Sequence, residues 1–268
     1  MISCKEYFEI EKDKIKSHIE NSDAAWFYTP VLDIFQVGDN PASNVYVKNK
    51  MKDCEDVGIK AVLHHYPEDV DAYDLKDDIR TFSSYLSCDG VILQLPVPDH
   101  IDPIDILASS IVPYQDVDGF LSTSNKKPCT PRGIIDYLEY NEIDVDGKNC
   151  LVIGRSDIVG KPLAKMLVDR NATVTLAHSH TPREELIRYA ENADIVFVAV
   201  GKPKWFKFKP KNSDVIVVDV GINRNEDGKL CGDVDYDYMT EQGCCVTPVP
   251  GGVGLLTRLA LLKNVAGI

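Results

Sequence analysis

No apolar run in this 268-residue sequence approaches the roughly 20 residues that a membrane-spanning helix needs. The longest candidates, such as ADIVFVAV, are strand-sized, and no membrane partner is expected. Positive charge is scarce as well: 29 Lys and Arg against 42 Asp and Glu leave a formal net charge of −13. That balance excludes nucleic acid as a main partner, because Lys and Arg supply binding to phosphate backbones. It is compatible with a local basic pocket for an anionic ligand. None of the 8 cysteines stands in a CxxC pair. They are scattered through a chain too long for a stapled mini-domain, so reduced thiols and no metal site are expected. The adjacent Cys244 and Cys245 read as a strand detail. Internal repeats and low-complexity tracts are absent. The opening MISCKEYFEIEKDK is charged throughout, unlike a secretory leader, which makes a cytoplasmic location the expectation. What remains, 44% hydrophobic and 26% charged, is the composition of a globular chain with a real core.

Strand-like and helix-like segments alternate. VLDIFQVG, AVLHHY and GVILQLP read as strands, separated by a helix around SNVYVKNKMKDC and another over DAYDLKDDIRTFSSYLS. A βαβαβ series implies a parallel sheet with helices on its faces. The polar stretch LSTSNKKPC interrupts the pattern, and Thr130 and Pro131 are placed to open a new helix as cap and first-turn residue. A second series follows in NCLVIG, a helix from about Lys161, ATVTLAH, a helix near PREELIRYAENA, DIVFVAVG and DVIVVDVG. The chain closes with CCVTPVPGGVG and a helix containing Leu255, Leu256, Leu259 and Leu262. The expected fold class is α/β: two α/β lobes around a cleft, the second a Rossmann-type dinucleotide-binding domain. The expected domains are 1–128, completed by the helix 255–268, and 129–254. Ligands of such folds sit at the carboxyl ends of parallel strands.

In the first helix Asn40 or Ser43 can cap, Pro41 suits the first turn, and Gly58 suits the position after the last turn. Val47, Met51 and Cys54 form its apolar stripe. Tyr46 and Lys50 share one edge of that stripe, whereas Lys48 and Lys52 fall on the opposite, solvated face. A phenol resting on a lysine stem is also ordinary surface chemistry.

LVIGRSDIVGKPLAKML joins a strand to a helix through a turn bounded by Gly154 and Gly160. The first glycine permits the tight turn and the second brings backbone amides at a helix N-terminus toward a diphosphate. The spacing is not GxGxxG. At the end of the next strand, where NAD-preferring folds carry Asp or Glu, the chain reads AHSHT. With Ser179 there and Arg155 in the glycine turn, a 2′-phosphate meets no repulsion, so NADP is favoured over NAD.

The Tyr-x-x-x-Lys spacing resembles that of short-chain dehydrogenases, but in those enzymes the pair follows the glycine motif, and Tyr46 and Lys50 precede Gly154. GDNPASNVYVKNKMKDCEDVGI, DGVILQLPVPDHID, QDVDGF, PCTPRGI, GRSDIVGKPLA, ADIVFVAVGKP, VVDVGIN, GDVD and TPVPGGVG instead resemble, in order and spacing over nearly the whole chain, the bifunctional methylenetetrahydrofolate dehydrogenase/methenyltetrahydrofolate cyclohydrolases. The resemblance implies a homodimeric enzyme that oxidises 5,10-methylenetetrahydrofolate with NADP and hydrolyses the methenyl product to 10-formyltetrahydrofolate. It implies Lys50 as the catalytic lysine, Tyr46 against the folate, Gln94 supporting Lys50 and Asp118 holding the pterin, with Pro250 and Gly251 also at the substrate. Gly154, Arg155, Ser156, Gly160, Ser179, Gly201 and Ile222 are implied at the nucleotide.

The chemistry agrees with those roles. A lysine withdrawn from water can take up and return protons while water attacks the methenyl carbon. An amide oxygen can fix its rotamer, and a carboxylate can accept paired N–H donors from an aminopyrimidine edge. Gly251, Gly252 and Gly254 allow close backbone approach. Asp116 shapes the loop and Cys129 packs. Two departures stand out. Leu255-Leu256 replaces the Pro-Met usual in this family, and His180 stands where a permanently charged Lys or Arg is common. Alternative readings are a dehydrogenase lacking the cyclohydrolase step, or a folate- or nucleotide-binding protein with little turnover.

Overall fold

A computed structural model describes residues 3–23, 25–84, 88–212 and 214–268. The chain divides into two compact units, Glu9–Cys129 with Arg258–Ile268, and Met1–Phe8 with Thr130–Thr257. This division differs from the expected domains at both ends: it splits α1 (Cys4–Glu20) after its first turn and cuts the last helix after Thr257.

The first unit is built on β1 (Val31–Val37), α2 (Pro41–Val57), β2 (Lys60–Tyr66), α3 (Ala72–Ser83), β3 (Gly90–Leu93) and α4 (Pro103–Ser110). Its three strands are parallel in the order β2-β1-β3, with Ile34 level with Leu63 and Ile92. β1 is buried at every position after Val31, as a central strand covered on both faces must be. Helix starts follow from short acceptors in the sequence. Asn40 Oδ1 takes the Ser43 amide, Asp71 caps α3, and Asp102 with Pro103 opens α4. α2 ends at Gly58, whose φ of +85° suits glycine, and Ile59 N–H closes back on the Cys54 carbonyl. Phe35, Leu75, Ile79, Leu93 and Leu107 form the core on one face of the sheet.

Several boundaries differ from expectation. The strand read through GVILQLP stops at Leu93, leaving Gln94 just past its end. The helix read through residue 87 closes at Ser83, and residues 85–87 lie outside the described residues. α1 was concealed by its charges. Its buried Cys4, Tyr7, Phe8, Glu11 and Ile15 nevertheless recur at helical spacing.

The second unit contains α5 (Cys129–Tyr140), β4 (Asn149–Ile153), α6 (Gly160–Val168), β5 (Thr173–Ala177), α7 (Arg183–Glu191), β6 (Ile195–Val198) and β7 (Ile216–Asp219). Beyond these lie the antiparallel pair β8 (Asn223–Arg224) and β9 (Leu230–Cys231), α8 (Tyr236–Glu241), β10 (Cys245–Val246) and the start of α9 (Val253–Ala266), whose residues from Arg258 on belong to the first unit. The main sheet is parallel in the order β10-β7-β6-β4-β5. The chain leaves β4 for β5 on one side and then crosses to β6 on the other, so the order reverses at β4, where open α/β sheets bind ligands. Leu151, Ile153, Val196, Val198, Phe206 and Val217 fill the core beneath α7. Thr130 is not the cap of α5. That helix begins at Cys129, whose amide is already held by the Asp118 carbonyl. All eight cysteines are free thiols. Among the described residues no helix is long and apolar enough to cross a membrane.

Candidate active site

α2 leaves the carboxyl end of β1, and its residues 46, 50 and 53 share one stripe by helical geometry. Lys50 is 5% exposed, and its Nζ donates to Gln94 Oε1 at 3.1 Å. The amide is oriented for this: Gln94 Nε2 donates to the Leu95 carbonyl at 2.7 Å, which turns Oε1 to the lysine. Gln94 N–H is held by the Phe35 carbonyl at the end of β1, so the acceptor rides on the sheet. Lys50 Nζ also lies 5.3 Å from the Tyr46 ring centroid. Withdrawal of the Tyr46 hydroxyl from water pushes its pKa up to about 12, against the pull of the Arg258 guanidinium. Arg258 itself pairs with buried Asp53 at 2.7 Å.

Asp118 sits on a loop built by its neighbour. The Asp116 carboxylate accepts the amides of Gly119, Phe120 and Leu121 at 3.0, 3.2 and 2.8 Å. Asn264 Nδ2 braces the same loop through the Val117 carbonyl. Asp118 is buried beside the Cys129 thiol, whose pKa is driven up by burial and then by this carboxylate, with Lys50 pulling the other way. Tyr46, Lys50, Gln94 and Asp118 are thus gathered in one cluster. Lys48 and Lys52 are exposed.

In the other unit, Gly154 directly follows β4 with φ +123°, and a Cβ there would stand 2.1 Å from the Ala199 carbonyl oxygen. A Cβ on Gly160 would stand 2.0 Å from the Gly154 carbonyl oxygen. α6 has no side-chain cap on its N-cap residue Val159. Ser156 Oγ instead accepts, at 3.2 and 3.4 Å, the Val159 and Gly160 amides. Arg155 projects from this turn, and its charge helps hold His178 below the usual imidazole range, after desolvation. A glycine cradle that a Cβ would fill, with an arginine beside it, fits a dinucleotide phosphate.

After β5 the His178–Thr181 turn closes on itself, Thr181 N–H to the His178 carbonyl at 2.8 Å, leaving Ser179 and His180 exposed. Gly201 has φ +65° with open space around its Cβ position, and Ile222 is 50% exposed. Near α9, Gly251 has φ +96° and follows an exposed Pro250, while a Cβ on Gly252 would meet the Pro248 carbonyl at 2.2 Å. Leu256, one of the two family departures, is fully buried in α9.

Sequence reasoning missed a pair of carboxylates that shape the nucleotide unit. Asp233 accepts the amides of Val200, Gly201 and Lys202 at 2.6, 3.0 and 2.7 Å. Asp219 accepts those of Gly221, Asp233 and Val234, and burial pushes its pKa up to about 6. Asp219 lies in the VVDVGIN motif and Asp233 in GDVD, where neither was singled out.

The comparisons with known proteins cover both units. Residues 2–118 match the family model "Tetrahydrofolate dehydrogenase/cyclohydrolase, catalytic domain", and residues 128–268 match its "NAD(P)-binding domain". The "Bifunctional protein FolD" of Agathobacter rectalis is 45% identical over 87% of this chain and 86% of its own length. The crystal structure of the bifunctional enzyme FolD from Campylobacter jejuni superposes with a TM-score of 0.91 at 39% identity, covering 99% of this chain and 96% of that one. The Trypanosoma brucei dehydrogenase-cyclohydrolase, solved with NADP and an inhibitor, gives 0.87 at 28% identity over 99% and 95%. This chain belongs to the tetrahydrofolate dehydrogenase/cyclohydrolase family, with an α/β catalytic part and an NAD(P)-binding part.

Proposed function

We propose that the protein oxidises 5,10-methylenetetrahydrofolate to 5,10-methenyltetrahydrofolate with NADP and hydrolyses that product to 10-formyltetrahydrofolate. The single observation that carries the reading is the buried Lys50–Gln94 hydrogen bond beside Tyr46 and Asp118. In this reading the unit containing β1–β3 holds the folate and the unit containing β4–β7 holds the nucleotide.

Asp118 accepts paired N–H donors of the pterin, Tyr46 packs on the ring system, and Pro250 with Gly251 gives backbone access to the substrate. For the first step a bound NADP would supply the hydride acceptor. The residues of this chain supply position and exclude water, since neither reacting atom needs a protein acid or base. For the second step water adds to the methenyl carbon and Lys50 takes one of its protons; the carbon–nitrogen bond then breaks as that proton is returned to the departing ring nitrogen, and the added hydroxyl releases its remaining proton to solvent as it becomes the formyl carbonyl. Gln94 keeps the amine on line for both transfers. Gly154, Ser156 and Gly160 would hold the diphosphate, with Gly201 and Ile222 at the rest of the nucleotide. Arg155 and Ser179, with no Asp or Glu at the end of β5, support NADP over NAD.

A homodimer in the cytoplasm completes the proposal. The test is Lys50→Met, which abolishes hydrolysis of methenyltetrahydrofolate while the protein stays folded; a fully active variant would sink the assigned role.

A further inference from the structure

Arg183 and Lys202, in the segments that follow β5 and β6, share one aromatic ring and form no ion pair with a carboxylate among the described residues, in a chain of net charge −13. The Arg183 guanidinium, at the first position of α7, lies 4.9 Å from the centroid of the Trp205 ring and 5.5 Å from that of Phe206. Lys202 Nζ lies 5.7 Å from the same Trp205 ring. Of the neighbouring lysines, Lys204 pairs with Asp237, Lys207 with Asp235 and Lys211 with Glu191. Two like charges gathered on one indole repel each other, and stacking on a ring offsets only part of that cost. An anion between them reverses the sign.

Their place in the chain says which anion. Arg183 follows the turn after β5, four residues beyond Ser179, and Lys202 follows Gly201, so both border loops at the carboxyl end of the sheet, where a dinucleotide's adenosine half lies. The backbone amide of Lys202 is held by Asp233, which fixes where its side chain starts. Trp205, packed against the α7 core, fixes the arginine. We propose that Arg183 and Lys202, seated on Trp205, form a cationic clamp for the 2′-phosphate of NADP and so determine dinucleotide specificity together with Arg155. This inference rests on the NADP reading above and adds residues to it.

The test is equilibrium binding of adenosine 2′,5′-bisphosphate, 5′-AMP and inorganic phosphate, read by Trp205 fluorescence in a Trp26→Phe background. The background protein should bind the bisphosphate more tightly than 5′-AMP. Arg183→Gln with Lys202→Gln should reduce that preference by about tenfold or more, the scale of a lost charge-assisted contact. Arg183→Lys should restore part of it, which a purely structural role would not require. A preference unchanged in the double glutamine variant overturns the clamp and leaves the NADP reading standing. Equal affinity for the bisphosphate and 5′-AMP in the background protein overturns the NADP reading and the clamp with it. Inorganic phosphate binding as tightly as the bisphosphate marks a general anion site and overturns the assignment.

Discussion

Among the described residues Lys50 forms no ion pair with a carboxylate; a neutral amide oxygen is its hydrogen-bond partner. A buried amine so placed is expensive for folding and useful for proton transfer. If Gln94 fixes its direction, Gln94→Ala should slow cyclohydrolysis by roughly 100-fold, the scale of a misplaced catalytic group, with a much smaller effect on folding. Steady-state rates with methenyltetrahydrofolate decide it, and a loss of less than twofold contradicts the positioning role. Asp219 makes a different kind of claim. Its folded pKa of about 6 exceeds the unfolded value of about 3.9, so between these values the native state holds a proton that the unfolded chain has lost. Stability assigned to this group is therefore present at low pH and declines as pH rises from about 4 to about 6, by an order-of-magnitude 2–3 kcal/mol. Urea midpoints of the native protein minus those of Asp219→Asn, followed across that window, should fall with pH; a flat difference contradicts the assignment.

At the scale of elements, the turn between β4 and α6 is fixed by contacts that forbid a side chain. Gly160→Ala places a methyl 2.0 Å from a backbone oxygen, so the turn must open. The expected cost is about 1–3 kcal/mol with loss of nucleotide affinity, measured by urea unfolding and NADP titration. Unaltered stability and binding would show that the turn has slack. The elements most legible in sequence were the strands, because VLDIFQV, NCLVI and IVFV are apolar runs bounded by glycine or polar residues. Tyr46, Lys50, Gln94 and Asp118 were legible as candidates only through their motifs; spacing alone left Tyr46 and Lys50 open to a surface reading. α1 was not legible, since Lys and Glu flank every member of its buried stripe. Neither were Asp219 and Asp233, because an aspartate that accepts backbone amides is indistinguishable in sequence from a solvated one. Burial separates them, and burial is a property of the fold.

For the molecule as a whole, one chain is asked to perform a hydride transfer and a hydrolysis, with Tyr46, Lys50, Gln94 and Asp118 in one compact unit and Gly154, Arg155, Ser156 and Gly160 in the other. Sedimentation equilibrium should return twice the 29.8 kDa chain mass; a monomer at micromolar concentration contradicts the homodimer. The most direct test of the central claim is a pair of absorbance time courses on the purified protein, one with methylenetetrahydrofolate plus NADP or NAD, the other with methenyltetrahydrofolate alone. The account predicts turnover in both, faster with NADP than with NAD in the first. Oxidation without hydrolysis would contradict the role given to Lys50, and silence in both would contradict the enzyme assignment itself.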